Sequence, residues 1–139
     1  MTSKTLLALA LLATFVVGSA FGDEAIEPSY TVKISTGGAL GAFLVDGEGM
    51  TLYSFANDAP GGNISACIDD CAERWLPFFA PEIEVPAELK ATDFNGFVRD
   101  DGTIQTTYKG WPLYLYFEDQ VPGDVLGHGL GGVWSVVAP

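Results

Sequence analysis

The chain has 139 residues, with 18 Asp plus Glu against 6 Lys plus Arg, a formal charge of −12 at pH 7, and 48% hydrophobic residues. That length accommodates one domain, or one domain with an internal duplication, and excludes two full catalytic lobes. So negative a chain repels phosphates, which excludes nucleic acid as a partner, and its apolar share excludes a disordered polymer.

The first elements are an address. Lys4 precedes an apolar run from Leu6 to Val17, and the small residues Gly18, Ser19, Ala20 and Gly22 follow. This pattern reads as a secretory signal peptide over residues 1–22, cut after Gly22 or, nearly as well, after Ala20. A membrane anchor is the competing reading, but the run is shorter than the ~20 apolar residues that span a bilayer. No Cys follows the run to accept a lipid, so the expected product is secreted or periplasmic and has no stable membrane anchor. Losing residues 1–22 removes one Lys and no acid, which leaves the remainder more acidic still.

Residues 23–42 form an N-terminal lead that includes a first strand, Tyr30 to Ser35, ended by Gly37, Gly38 and Gly41. Phe43 to Asp46 and Met50 to Phe55 flank Gly47-Glu48-Gly49, a spacing that suits a hairpin with a glycine bulge. Cys67 and Cys71 are the two cysteines, and outside the cytoplasm a small-loop disulfide is the best reading, worth roughly 2 kcal/mol or less. A redox couple or half of a metal site are the alternatives, although neither a CxxC nor a CxxCH motif is present.

Asp69 to Trp75 fits two helical turns with an Asp cap, and Pro77, Pro81 and Pro86 interrupt the stretch after it. Phe97 to Asp100, the turn Asp101-Gly102 and Thr103 to Tyr108 predict a second hairpin, with positive φ at both turn residues. Lys109-Gly110 turns the chain into Trp111 to Phe117, and Val133 to Val137 is the last strand.

One self-comparison organises these elements. The stretch from Gly49 to Gly61 aligns with that from Gly110 to Gly123, both reading Gly-x-x-Leu-Tyr-x-(Phe/Tyr)-x-x-Asp and then Pro-Gly, and Trp75 and Trp134 follow at similar distances. The chain is therefore mainly β: a small antiparallel domain over residues 43–139, made of two related hairpin units of about 43–96 and 97–139, with a short helical segment after the disulfide. One hairpin unit cannot bury its apolar face alone, whereas two packed together can.

Strand alternation puts Tyr53 and Phe55 on one face, and Tyr114 and Tyr116 on the corresponding face of the second copy. The second copy also carries Leu113, Leu115 and Phe117 on the other face, so its strand is expected to be central and buried. Asp58 and Asp119 fall where each strand gives way to the Pro-Gly turn, where a carboxylate can accept loop N–H groups. Two readings fit. In one, aromatics fill the core and Asp pins a turn; in the other, Tyr53, Phe55, Asp58, Tyr114, Tyr116 and Asp119 form a ligand site between the halves.

At these residues the sequence resembles the family of bacterial and archaeal lipoproteins and secreted repeat proteins known by its Yx(F/W/Y)xxD motif. The resemblance runs from Phe43 to Pro139. It rests on Leu44-Val45-Asp46 with Gly49 to Phe55, Cys67-x3-Cys71-x3-Trp75, Arg99-Asp100-Asp101-Gly102-Thr103 with Gln105, Gly110 to Tyr114, and Gly132-Val133-Trp134. It implies a secreted repeat protein and implies no reaction. Leu76-Pro77-Phe78 replaces the family's usual Pro-Pro-Leu after the first Trp, and Ser135 stands where His or an aromatic often follows the last, which weakens a metal or haem ligand there.

His128, the sole histidine, lies in Gly127-His128-Gly129-Leu130-Gly131-Gly132, which spells GxGxxG but leaves no room for the helix that a nucleotide site needs. It is read as a glycine-loop residue or, with Asp124 or Asp119, as a weak metal ligand. Asp100-Asp101-Gly102 is explained by turn geometry, and no nucleophile elbow or EF-hand spacing occurs. The expected function is a non-catalytic binding or interaction module with no cofactor, recognising a small ligand or an extracytoplasmic protein. The alternatives are an extracytoplasmic metal- or electron-transfer accessory, or a small hydrolase.

Overall fold

The computed structural model describes residues 11–18, 22 and 26–139. The signal-peptide reading falls mostly outside the described residues, and among those described no helix is long and apolar enough to cross a membrane.

Among the described residues twelve short elements succeed one another. Strands β1 (Val32–Gly38) and β2 (Gly41–Asp46) lead to β3 (Tyr53–Phe55), helix α1 (Asp70–Arg74) and β4 (Trp75–Pro77). A 3-10 turn (Ala91–Asp93) precedes β5 (Phe94–Val98), β6 (Ile104–Tyr108), β7 (Trp111–Pro112) and β8 (Tyr114–Tyr116), and a second 3-10 turn (Leu130–Gly132) precedes β9 (Trp134–Val136). All pairings are antiparallel, in sheets ordered β1-β2, β5-β6-β7 and β4-β8-β3-β9. The mainly β architecture of two related units is thus present, with one short helix beside the disulfide.

The units exchange strands. In the four-stranded sheet, β3 of the first unit pairs with β8 and β9 of the second, and β4 pairs with β8. The two tyrosine strands meet at a single register point, Tyr53 opposite Tyr114. Equivalent bonds recur on both sides of that point: Leu44 N–H donates to the Val137 carbonyl as Thr106 N–H does to Phe78, and Ala56 N–H donates to Val133 as Phe117 N–H does to Arg74. Neither β3 nor β4 has a strand partner from its own unit in this sheet.

The structure departs from the sequence reading at several turns. The expected hairpin with a glycine bulge at Gly47-Glu48-Gly49 forms at its turn end: Gly49 N–H donates to the Asp46 carbonyl, Asp46 N–H to Met50 and Leu52 N–H to Leu44, with Val45 bridged to Thr51. Beyond Leu52 the strand leaves β2, because β3 pairs with β8 and β9 of the other unit. The β1–β2 hairpin also straddles the unit start placed at residue 43.

At the β5–β6 tip, Arg99 N–H donates to Thr103 and Gly102 N–H to Arg99, and Gly102 (φ 86) alone adopts the left-handed region. This is a three-residue loop with a glycine bulge, not a two-residue turn. The two-residue turn with positive φ at both positions is Lys109-Gly110 (φ 48 and 85), between Tyr108 and its partner Trp111. Helix α1 is a single short stretch, and Asp69 precedes it without a side-chain capping bond. β8 is central as expected, but Tyr114 alone of its residues is fully buried, and Phe117, beyond its end, is 47% exposed.

Two cores result. One gathers Val32, Leu44, Leu52, Phe78, Leu89, Phe94, Tyr108, Leu113 and Val137 from the hairpins and the motif leucines. The other is aromatic: Phe55, Trp134, Trp75 and Tyr116 succeed one another at centroid separations of 4.2, 3.7 and 4.3 Å, with Tyr53 and Tyr114 set edge-on to the tryptophans. Trp75 and Trp134, one from each unit, lie within 3° of parallel.

Gly127 presses its α-carbon against this stack; a Cβ there would stand 2.6 Å from Trp75 Cη2 and 3.0 Å from Tyr53 Cε1. Gly127→Ala should therefore lower stability by about 1–3 kcal/mol through overpacking. Gly38→Ala, where a Cβ meets nothing within 4 Å, should change it by less than about 0.5 kcal/mol. Thermal denaturation of the two variants checks both, and equal midpoints would contradict the packing account.

Candidate functional site

Four of the six motif residues, Tyr53, Tyr114, Asp58 and Asp119, pair between the units, and they do so by crossing. Tyr53 donates its hydroxyl to Asp119 Oδ2 at 2.6 Å, and Tyr114 donates to Asp58 Oδ2 at 2.6 Å, so each tyrosine grips the carboxylate of the other unit. The second oxygen of each carboxylate pins its own loop: Ala66 N–H donates to Asp58 Oδ1 at 2.7 Å and Leu126 N–H to Asp119 Oδ1 at 3.0 Å. Both tyrosines are fully buried. Gly127 N–H donates to the Tyr53 hydroxyl, and Ser65 Oγ lies 2.7 Å from that of Tyr114.

Short O–H to carboxylate bonds are among the stronger hydrogen bonds, and a buried carboxylate without such donors is costly. Burial, reinforced by the neighbouring carboxylate, pushes both phenols well above their ordinary pKa. Burial also raises the Asp58 carboxyl, against the opposing pull of Tyr114, Ala66 and Arg99.

Phe55 and Tyr116 serve the aromatic stack at its two ends, and the Tyr116 hydroxyl reaches Glu118 Oε2 at 3.2 Å. Asp124 Oδ2 accepts Gln120 and Val121 N–H, and His128 Nδ1 accepts Val136 N–H at 3.1 Å. Among the described residues no group of three or more His, Cys, Asp or Glu is placed to hold a metal. Cys67 and Cys71 are joined, with Cys67 fully buried in the aromatic core.

Arg99, Gln105 and Ser65 join the site; the first two belong to the residues that carry the family resemblance, but the sequence reading assigns none of the three to a site. Arg99 is buried; its Nη1 donates to Gln105 Oε1 and its Nη2 to the Cys67 carbonyl, each at 2.6 Å, while Gln105 Nε2 donates to the Leu113 carbonyl. This chain of bonds joins the hairpin of the second unit to the disulfide loop of the first. The signal for it is Arg99 and Gln105 at alternating strand positions, which can share a face.

A cleft of about 540 Å³ lies beside this network. The disulfide loop and α1 form one wall through Asn63, Ile64, Ile68, Asp69 and Glu73, and the β5–β6 tip forms the other through Val98 to Asp101.

Removing either tyrosine hydroxyl leaves a buried acceptor without its donor, so Tyr53→Phe and Tyr114→Phe should each cost about 1–3 kcal/mol in urea denaturation. A loss below measurement error in both would refute the crossed clasp.

The pH dependence has its origin in the same pairs. A raised phenol pKa stabilises the fold fully below the unfolded value of about 10, and that contribution is lost as pH rises towards the folded value. Tyr53 and Tyr114 should thus give no tyrosinate absorbance until the chain unfolds in alkali. Asp58 has the same sign at lower pH: the fold holds its proton more firmly than the unfolded chain does. The wild-type chain should therefore gain stability over Asp58→Asn as pH falls from neutrality towards the ordinary carboxylate range.

Neither a curated protein nor a solved structure matches this chain. A family described as a secreted repeat of unknown function matches it twice, over residues 36–78 and 97–138. The matched segments hold both tyrosine strands, both motif aspartates and both tryptophans, the groups that clasp one unit to the other. The chain belongs to this family of secreted repeats.

Proposed function

We propose that the chain is a non-catalytic binding module that works outside the cytoplasm, in the periplasm or secreted, after residues 1–22 are removed. Its ligand is a small molecule or a segment of an extracytoplasmic protein. In this reading Tyr53, Tyr114, Asp58 and Asp119 hold the two units together, and recognition belongs to the cleft between the disulfide loop and the β5–β6 tip.

The observation that carries it is the inequality of two corners that the duplication would otherwise make alike. Counted from the equivalent rungs Val32–Asp46 and Phe94–Tyr108, Gly37 of the first unit falls at the place of Arg99 in the second, and the glycine loop from Gly127 to Gly132 corresponds to the disulfide loop of the first. Arginine and disulfide therefore meet at one corner only, at the 540 Å³ cleft. A concave site with an apolar lining and a few convergent polar groups is the usual form of a ligand site.

The motif tyrosines and carboxylates are already paired with one another, which leaves them no free acid/base partner for a substrate. A thermal-shift screen of amines, peptides, sugars and organic acids should yield a saturable stabiliser that the protein returns unchanged by mass. Turnover of any such compound would overturn the non-catalytic reading, and a screen with no stabiliser would overturn the binding reading.

A further inference from the structure

We propose that the cleft binds a short peptide segment carrying a lysine or arginine side chain. This rests on the binding-module reading and names the ligand class for the same cleft.

Three features of the lining converge on that chemistry. Ile64, Ile68 and Val98 are 52, 56 and 66% exposed, an apolar surface left uncovered beside the cleft. Asp69, Glu73, Asp100 and Asp101 line the same space, and Arg99 is the one basic residue among the lining groups. Arg99 is 6% exposed, two of its nitrogens are spent on Gln105 and Cys67, and its Nε has no acceptor. The guanidinium is turned inward and sealed from solvent, so the charge this cleft presents to a ligand is that of its carboxylates.

A basic residue in a peptide answers this lining: its methylene stem lies along Ile64, Ile68 and Val98, and its cationic head meets the carboxylates. An anionic ligand would face four carboxylates, and a bare metal ion offers no stem to cover the apolar surface. Asp101 already accepts Thr103 N–H and Oγ, so Asp69, Glu73 and Asp100 carry the selectivity for the cation.

The test uses the whole mature chain in calorimetry and heteronuclear NMR with three probes: acetyl-Leu-Lys-Leu-amide, free Lys-Leu-Lys and acetyl-Leu-Glu-Leu-amide. The lysine peptides should bind saturably, shift the resonances of Ile64, Ile68 and Val98, and weaken as salt is raised. Asp69→Asn, Glu73→Gln and Asp100→Asn together should weaken binding about tenfold or more while leaving the melting temperature unchanged. Val98→Ser should weaken it while keeping the salt dependence.

Equal binding of the capped and free peptides identifies an internal segment of a protein as sufficient, and binding of the free form alone identifies a free oligopeptide; both support the proposal. Equal binding of the glutamate peptide, or an unaffected triple variant, overturns it. A neutral or anionic compound that shifts the same resonances overturns the basic-peptide assignment alone, and absence of any ligand at the cleft overturns the binding-module reading with it.

Discussion

Two tyrosine hydroxyls, buried where water cannot serve them, each need an acceptor, and each finds it in the carboxylate of the opposite unit. Because the bonds cross, neither unit can satisfy its own tyrosine, and both loops that carry the aspartates are drawn inward at once. Leaving either hydroxyl or carboxylate unpaired would cost more than forming the bond gains, and that imbalance makes the pairing obligatory. The strand exchange in the four-stranded sheet obeys the same constraint. β3 hydrogen-bonds only to strands of the second unit, and β4 only to β8, so the units complete each other.

The repeated motif is best understood as a description of that interface. The motif glycines Gly49 and Gly110 both have positive φ (90 and 85), and each packs on the opposite unit's Pro-Gly turn: a Cβ on Gly49 would meet Pro122 at 3.1 Å, and one on Gly110 would meet Gly61 N at 2.7 Å. The motif leucines Leu52 and Leu113 are fully buried in the shared aliphatic core. The aromatic two residues after each tyrosine and the distant tryptophan form the ring stack, in which Phe55 stacks on Trp134 and Tyr116 tilts against Trp75, again across units. Every element that repeats in the sequence thus touches its counterpart's unit, which explains why the elements recur together.

Much of this is legible in the sequence because it is local. The β5–β6 hairpin, the disulfide, the position of the short helix and the duplication each depend on residues within a few places of one another. Partnership between strands is not local. The alternation of Tyr53 and Phe55 fixes which residues share a face, but the period of two carries no information about which strand lies alongside, and so the sequence runs Met50 to Phe55 along β2 throughout, whereas only its start stays there and β3 leaves for β8 and β9. Turn type misleads for a related reason. Asp101-Gly102 and Lys109-Gly110 both offer a glycine, but whether the residue before it must also take positive φ depends on the register of the flanking strands, and that register selects Lys109. The burial of Arg99 is hidden because an arginine next to Asp100-Asp101-Gly102 looks like a solvated turn until the Cys67 carbonyl arrives from the other unit.

Duplication also explains where specialisation can arise. The tyrosines, aspartates and tryptophans are held in pairs, so a change in one copy disturbs a bond that the other copy needs. The hairpin tips and the loops before the tryptophan strands lie outside those crossed bonds, and there the two copies have diverged. One corner has glycine against glycine-rich loop; the other has Arg99 reaching the carbonyl of a disulfide-bonded cysteine. Ser65 ties the two regimes together, since its Oγ accepts Cys67 N–H while lying 2.7 Å from the Tyr114 hydroxyl. The disulfide loop that walls the cleft is therefore fastened directly to the clasp that holds the units, and the rigidity of the shared interface extends to the one corner that differs.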